Sequence, residues 1–126
     1  MRPHASRLAI LLSALVLVGC ASSGPPAVSP QVAAAEIEAA EQAVERAQEV
    51  GAERGAPTEF RAATSRLGQA QDALAAGERA QAARLGREAA VDGRLAEATV
   101  LAARARLRLA LSAEVRALRE VIDGDE

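Results

Sequence analysis

Apolar and small residues recur along most of this chain at alternating spacings of three and four. The series in the first region is Ala33, Ile37, Ala40, Val44, Ala47 and Gly51. The series in the second is Phe60, Ala63, Leu67, Ala70 and Leu74. The series in the third is Ala82, Gly86, Ala89, Gly93, Ala96, Val100, Ala103, Leu107 and Ala110. An average spacing of 3.5 residues is the repeat of coiled-coil packing, so the pattern predicts three helices, each with one packing seam.

Capping residues set the predicted bounds of the first helix. Ser29 and Pro30 are typical of an N-cap and a first helical residue. The apolar series stops where glycine appears, so the helix is predicted to end near Gly51 or Gly55.

The second helix is predicted to run from Pro57 to Ala76, with Gly77 as its C-cap. The third is predicted to run from about Glu78 to Ile122, and the acidic end DGDE is expected to fray. The sequence therefore predicts an all-α domain over residues 30–126. It would be an antiparallel helical hairpin or a three-helix coiled-coil-like bundle with a long C-terminal helix.

Two glycines lie within the seam of the third helix. Each of Gly86 and Gly93 costs about 1 kcal/mol relative to alanine in a helix interior. A second helix packed closely against them would explain this cost. The alternative is that both glycines lie on a permissive solvent face.

The third helix is too long for its predicted neighbours. At 1.5 Å per residue it measures about 65 Å, about twice the length of the second helix. Its distal apolar residues are Leu107, Leu111, Val115, Leu118 and Ile122. An exposed apolar stripe is typical of a partner surface, so we expect self-association or docking on another envelope protein. The alternative is that the first helix covers this stripe.

The N-terminal region has the layout of a secretory signal. Arg2 and Arg7 precede an apolar run from Leu8 to Val18, and small residues follow it. A bilayer-spanning helix needs about 20 apolar residues, so this run is too short to be one. Residues 1–19 are therefore predicted to be a signal peptide that is removed.

The end of that run, Leu17-Val18-Gly19-Cys20, resembles the lipobox of bacterial lipoproteins. The resemblance implies that a diacylglyceryl group, and with it fatty acids such as palmitate, is attached to the Cys20 thiol. It also implies cleavage after Gly19 and acylation of the new amino terminus. The alternative is conventional cleavage after Ala21, with Cys20 discarded.

Residues 20–29 are predicted to comprise the lipidated cysteine and a flexible linker, ASSGPPAVS. Ala21 and Ser22 follow the cysteine, where enterobacterial lipoproteins retained in the inner membrane carry aspartate. By this analogy we expect a lipid anchor in the outer membrane, with the domain facing the periplasm.

Composition limits the possible chemistry. The sequence has no Lys, Trp or Tyr, its one histidine, His4, lies in the predicted signal, and Cys20 would be acylated. Removing residues 1–19 takes away two of the 15 basic residues and none of the 17 acidic ones, which leaves a net charge of −4. Catalysis near neutral pH usually relies on His, Cys, Lys or carboxylates in a cleft. A paired-carboxylate site is the remaining alternative, but it needs a pocket that shifts the two pKa values apart, and a chain with one aromatic residue and many alanines has little with which to build one. We therefore expect no enzymatic activity, no cofactor and no metal site built on His or Cys.

Residues 51–92, GAERGAPTEFRAATSRLGQAQDALAAGERAQAARLGREAAVD, resemble the domain-of-unknown-function family numbered 4398. The resemblance covers roughly residues 32–103, and departures are Arg66, where the family commonly has Lys, and Gly86, where it commonly has Ala. Members are small helical envelope proteins, often lipoproteins, and some carry a C-terminal peptidoglycan-binding domain of the outer-membrane-protein-A type. We expect no such domain here, so wall binding is not implied.

Two groups of charged residues are candidate sites. Glu38, Glu41, Glu45, Glu49 and Glu53 form a predicted ridge on the first helix, interpreted as a solvated face, with a divalent cation or a basic partner as the alternative. Arg104, Arg106 and Arg108 lie where no acid occurs between Ala98 and Ala113, and are a candidate patch for an anionic partner. The alternative is that the arginine stems cover apolar surface.

Together these observations predict a non-enzymatic outer-membrane lipoprotein whose helical domain is a structural or adaptor module of the cell envelope. The alternative function is a binding module for peptidoglycan or anionic lipid that uses Arg104, Arg106 and Arg108. Nucleic acid is not an expected partner, because the predicted location is periplasmic and the sequence has only one aromatic residue, Phe60, for stacking on bases.

Overall fold

The computed structural model describes residues 27–124, and this region is helical almost throughout. Its helices are α1 (Pro30–Glu49), α2 (Ala52–Gly55), α3 (Pro57–Ala75) and α4 (Arg79–Gly124). No strand occurs within residues 27–124, which confirms the all-α prediction. The predictions for the signal, Gly19 and Cys20 fall outside the described residues. No helix within the described range is both long and apolar enough to cross a membrane.

Local capping sets the bounds of α1. The Ser29 hydroxyl oxygen accepts a hydrogen bond from the Val32 backbone N–H at 3.2 Å, and Pro30 opens the helix, as predicted. Gly51 adopts φ 77°, and its N–H donates to the Gln48 carbonyl oxygen at 2.8 Å, which ends the helix in a left-handed turn. The four-residue helix α2, which was not predicted, follows this turn.

A Schellman motif separates α3 from α4. Gly77 has φ 80° and donates to the Leu74 carbonyl oxygen at 3.0 Å, while the Glu78 N–H donates to the Ala73 carbonyl oxygen at 2.9 Å. Gly77 therefore terminates α3 as predicted. At the other end, α4 continues through Gly124, two residues beyond the predicted end at Ile122.

The helices α1 and α4 run parallel to each other. Near the start of both, the Arg87 guanidinium lies 3.2 Å from the Glu36 carboxylate. Further along both, the Arg46 Nε lies 3.7 Å from the Glu97 carboxylate. Residue numbers thus rise together in the two helices.

The helix α3 runs antiparallel to α4. At the middle of α3, Arg66 pairs with Asp92 of α4. Late in α3, Ala70 and Ala73 share a cluster with Ala82 near the start of α4. The three long helices therefore form an up-down-up bundle, the second of the two predicted architectures.

The core of this bundle is lined mainly by alanine. In α1 the buried positions are Ala33, Ile37, Ala40, Ala43 and Ala47. Val44, predicted for the seam, is half-buried, and Ala43 takes its place. The helix α4 also buries Ala83, Leu85 and Ala90, which lie beside its predicted seam, because it packs against two helices instead of one. Every buried side chain in residues 27–124 is apolar.

The two seam glycines of α4 lie directly against the backbone of α1. A Cβ atom added to Gly86 would stand 2.9 Å from the carbonyl carbon of Glu36, and one added to Gly93 would stand 2.9 Å from that of Ala43. Real Cβ atoms essentially never approach so closely. The prediction that these glycines permit a close helix contact is confirmed.

Candidate functional site

The distal part of α4 extends beyond the rest of the bundle as a single helix. This segment, residues 101–124, is called the arm, and every residue in it is exposed. At 1.5 Å per residue the arm is about 36 Å long. The prediction of an overhang is confirmed, and the alternative that α1 covers it is wrong because α1 ends at Glu49. The seam predicted at Ala103, Leu107 and Ala110 is accordingly exposed.

One face of the arm carries an apolar stripe, defined by Leu107, Leu111, Val115, Leu118 and Ile122. With 3.6 residues per turn, these five positions fall within about 80° of the helix circumference. Their exposed fractions range from 48% for Val115 to 68% for Ile122, so more than half of this apolar surface contacts solvent. Soluble helices normally bury such a stripe against a neighbour.

The stripe continues the face that α4 uses for packing inside the bundle. Val100, which is 5% exposed, lies on the same side of the helix, and its methyl groups pack against Gly55 of α2. The stripe therefore lies directly above the end of the bundle formed by α1 and α2.

Charge is unevenly distributed along the arm. Its inner half contains Arg104, Arg106 and Arg108 and no acidic residue. Its outer half contains three acidic and two basic residues, namely Glu114, Arg116, Arg119, Glu120 and Asp123. The arm is thus positive at its base and slightly negative toward its tip.

The three arginines at the base do not share one face. The Arg104 guanidinium donates a 2.7 Å hydrogen bond from Nη2 to the Val50 carbonyl oxygen, at the C-terminal end of α1. A cation at this end of a helix interacts favourably with the helix dipole. Arg106 lies about 160° away around α4, while Arg108, one turn after Arg104, lies beside the stripe. The structure therefore splits the predicted patch between a capping residue and two separate exposed positions.

The glutamate ridge lies on α1 and α2 and is exposed at all five positions. Glu41 accepts a 2.9 Å hydrogen bond from the Gln71 amide nitrogen of α3. No group of three or more possible metal ligands comes together within residues 27–124.

A shallow groove of about 280 Å³ between α3 and α4 contains charged residues that sequence reasoning missed. Arg66 pairs with Asp92 and lies 3.7 Å from a Glu88 oxygen, so the charges in the groove neutralise one another. Their sequence positions could have predicted this pairing, because Arg66 and Asp92 immediately precede the seam residues Leu67 and Gly93. Charged residues beside a seam commonly form pairs between helices. The charged residues in this groove form ion pairs between α3 and α4.

Comparison with protein families gives one family model that covers most of the described helices. A family model described as "Domain of unknown function (DUF4398)" matches residues 35–117. The matched region includes most of α1, all of α2 and α3, and α4 to about two thirds of the way along the arm. No curated protein and no solved structure shows a significant match to the chain.

Proposed function

The chain belongs to the DUF4398 family of domains of unknown function, and on that premise we propose a non-enzymatic outer-membrane lipoprotein. Its helical domain faces the periplasm and acts as a structural or adaptor module of the cell envelope. A lipid anchor on Cys20 holds it in place.

The observation that carries this proposal is the position of Cys20 in the sequence. It follows Leu17-Val18-Gly19 at the end of an eleven-residue apolar run, and it is the only cysteine in the chain. Each buried methylene contributes about 0.8 kcal/mol to membrane attachment, and stable anchoring takes more than one acyl chain. A cysteine that carries several chains would therefore hold the domain firmly at the bilayer.

The direction of the helices supports a role in reaching partners. The N-terminal end of α1 and the arm lie at opposite ends of the bundle, because α1 and α4 are parallel. With the anchor before α1, the arm lies at the end of the bundle opposite the point of attachment. The packed part of α4, residues 79–100, adds about 33 Å to the 36 Å of the arm. The stripe is then held at a distance from the point of attachment.

The packing of residues 27–124 supports a non-enzymatic role. Buried side chains in this range are apolar, and the charges beside the seams pair across helices. Acid–base catalysis needs ionisable groups held in an enclosed site where their pKa values are shifted. A rigid rod with an exposed apolar stripe is better suited to protein contacts.

Metabolic labelling with alkyne-tagged palmitate tests the anchor. We expect the wild-type chain and the matched control Ser22→Ala to take up label and to partition with membranes. Cys20→Ala is expected to take up none and to lose firm attachment. Equal membrane retention of Cys20→Ala, or unlabelled wild-type protein, would overturn the proposal.

Sorting is tested separately in an enterobacterial host. Membranes separated by density should contain the wild-type protein in the outer-membrane fraction. Ala21→Asp should move it to the inner-membrane fraction, while Ala21→Asn should leave it in the outer membrane. Wild-type protein in the inner membrane would overturn the outer-membrane assignment and leave the lipid anchor intact.

Binding to peptidoglycan or anionic lipid is the alternative function, and the geometry supports it less well. Arg104 already caps α1, and Arg106 and Arg108 diverge around the helix. Co-sedimentation with purified peptidoglycan, and with anionic vesicles, compares wild type with Arg106→Gln/Arg108→Gln. Binding at low salt that the double variant abolishes would favour the alternative; we expect none.

A further inference from the structure

We propose that the occupant of the apolar stripe is the stripe of a second copy of this chain, lying antiparallel to the first. The two arms pair side by side, and each tip points toward the bundle of the other copy. The partner of the module proposed above would thus be a second copy of the chain. This inference rests on the proposed function only because both treat the arm as the contact surface.

The position of the stripe above the bundle excludes a parallel pair of straight helices. Val100 packs on Gly55, and Arg104 reaches Val50, so α1 and α2 occupy the space directly below the stripe. A second α4 running parallel would have to continue through that space. An antiparallel α4 would instead end just above α1 and α2, and the rest of its own bundle would lie beyond the tip of the first arm.

The spacing of the stripe fits this antiparallel arrangement. When Leu111 of one copy faces Leu118 of the second copy, Leu107 faces Ile122. Val115 then lies beside the two-fold axis, against the second copy's Val115. All five stripe residues therefore meet an apolar residue in one register, as a two-fold interface requires. The contact spans 16 residues, or about 24 Å.

The charge distribution favours the same orientation. The base of one arm, which carries three arginines and no acidic residue, lies beside the outer half of the other arm, where three acidic and two basic residues give a net charge of −1. Antiparallel pairing also places opposite ends of the helix dipoles side by side.

The size of the interface indicates a weak dimer. Only one face of each arm is covered, over about 24 Å of helix, so the buried surface area is near the low end for specific protein interfaces. We therefore expect a dissociation constant in the micromolar range. Two copies anchored in one leaflet, with the paired rod lying along the membrane, have a raised local concentration, which increases the occupancy of such a dimer. Measured along α4, the paired molecules form a rod of about 105 Å with the N-terminal end of each α1 toward an outer end.

Disulfide crosslinking tests the orientation in the full chain. The Cys20→Ala background removes the native thiol, so the result is independent of lipidation. Leu111→Cys protein mixed with Leu118→Cys protein should form a disulfide-linked heterodimer under mild oxidation. Neither protein alone should crosslink efficiently, and the matched control Leu109→Cys, on the opposite face, should not crosslink in either mixture.

Each other outcome overturns the proposal. Crosslinking of Leu111→Cys with itself, without heterodimer, would indicate a parallel pair. Absence of any crosslink above the Leu109→Cys control would indicate that another partner, or none, occupies the stripe.

Sedimentation of the same Cys20→Ala background measures the affinity. Leu111→Glu/Leu118→Glu should weaken self-association at least tenfold, while Leu109→Glu should leave it within about twofold. Circular dichroism should show equal helix content in both, which separates loss of pairing from loss of folding. A wild-type arm that stays monomeric at several hundred micromolar overturns the inference without bearing on the Cys20 anchor, and a failed palmitate assay leaves this test unaffected.

Discussion

The close contact between α1 and α4 can be tested by adding a single methyl group. At Gly93 the added Cβ would stand 2.9 Å from the Ala43 carbonyl carbon and 3.0 Å from its Cβ and oxygen. At Gly86 it would meet the Glu36 carbonyl carbon at 2.9 Å. These are largely backbone atoms that cannot rotate away, so Gly86→Ala or Gly93→Ala must push α1 and α4 apart.

The size of the effect follows from two opposing contributions. In an open helix, replacing glycine with alanine stabilises by about 1 kcal/mol. Overpacking a tight contact costs about 1–3 kcal/mol. We therefore expect each substitution to change the free energy of unfolding by about 0 to −2 kcal/mol. Gly68→Ala in α3 is the matched control, because its added Cβ would meet nothing within 4 Å, and it should stabilise by about 1 kcal/mol.

Urea unfolding of the full chain, followed by far-ultraviolet circular dichroism, measures the difference. Gly68→Ala should raise the unfolding midpoint, whereas Gly86→Ala and Gly93→Ala should leave it unchanged or lower it. In thermal unfolding of the same variants, a difference of 1 kcal/mol corresponds to a shift of about 4–8 °C in Tm for a domain of this size. If Gly93→Ala proves as stabilising as Gly68→Ala, α1 does not lie against α4 as described.

Further predictions concern the caps and one ion pair, each checked by the same unfolding measurement. Ser29→Ala should destabilise by about 1 kcal/mol because Val32 N–H loses its acceptor, and Ser29→Asp should restore stability. Gly77→Ala should destabilise by about 1 kcal/mol because alanine is strained at φ 80°, and unchanged stability would contradict the Schellman turn. Asp92→Asn should cost no more than about 1 kcal/mol, and less at high salt, because its partner Arg66 is partly exposed; a larger loss would contradict a surface pair.

The bounds of the helices were predictable because particular residues fix them. Pro30 and Pro57 begin α1 and α3, and Gly77 ends α3, each through a backbone property that only that residue type has. The length of α4, and hence the exposed arm, also followed from the sequence. The placement of the arm at the end opposite the N-terminus of α1 did not, because spacing alone does not specify whether helices run parallel.

The details of packing were less predictable because alanine occurs on several faces. Ala43 and Val44 are neighbours, and an alternating spacing fits either one. The larger Val44 was expected in the core, but α1 approaches α4 so closely at Gly93 that only the smaller Ala43 fits there. The candidate arginine patch shows the same effect, because proximity in sequence does not place Arg106 on the same helix face as Arg104.

The unbroken course of α4 through the bundle into the arm affects how the arm meets any partner. Starting a helix is the unfavourable step, while extending an existing one is comparatively easy. Packing against α1 and α3 completes the first step, so the arm is ordered by elongation from a stable template. A partner then encounters a segment that is already structured, and association avoids most of the entropy loss that accompanies coupled folding and binding.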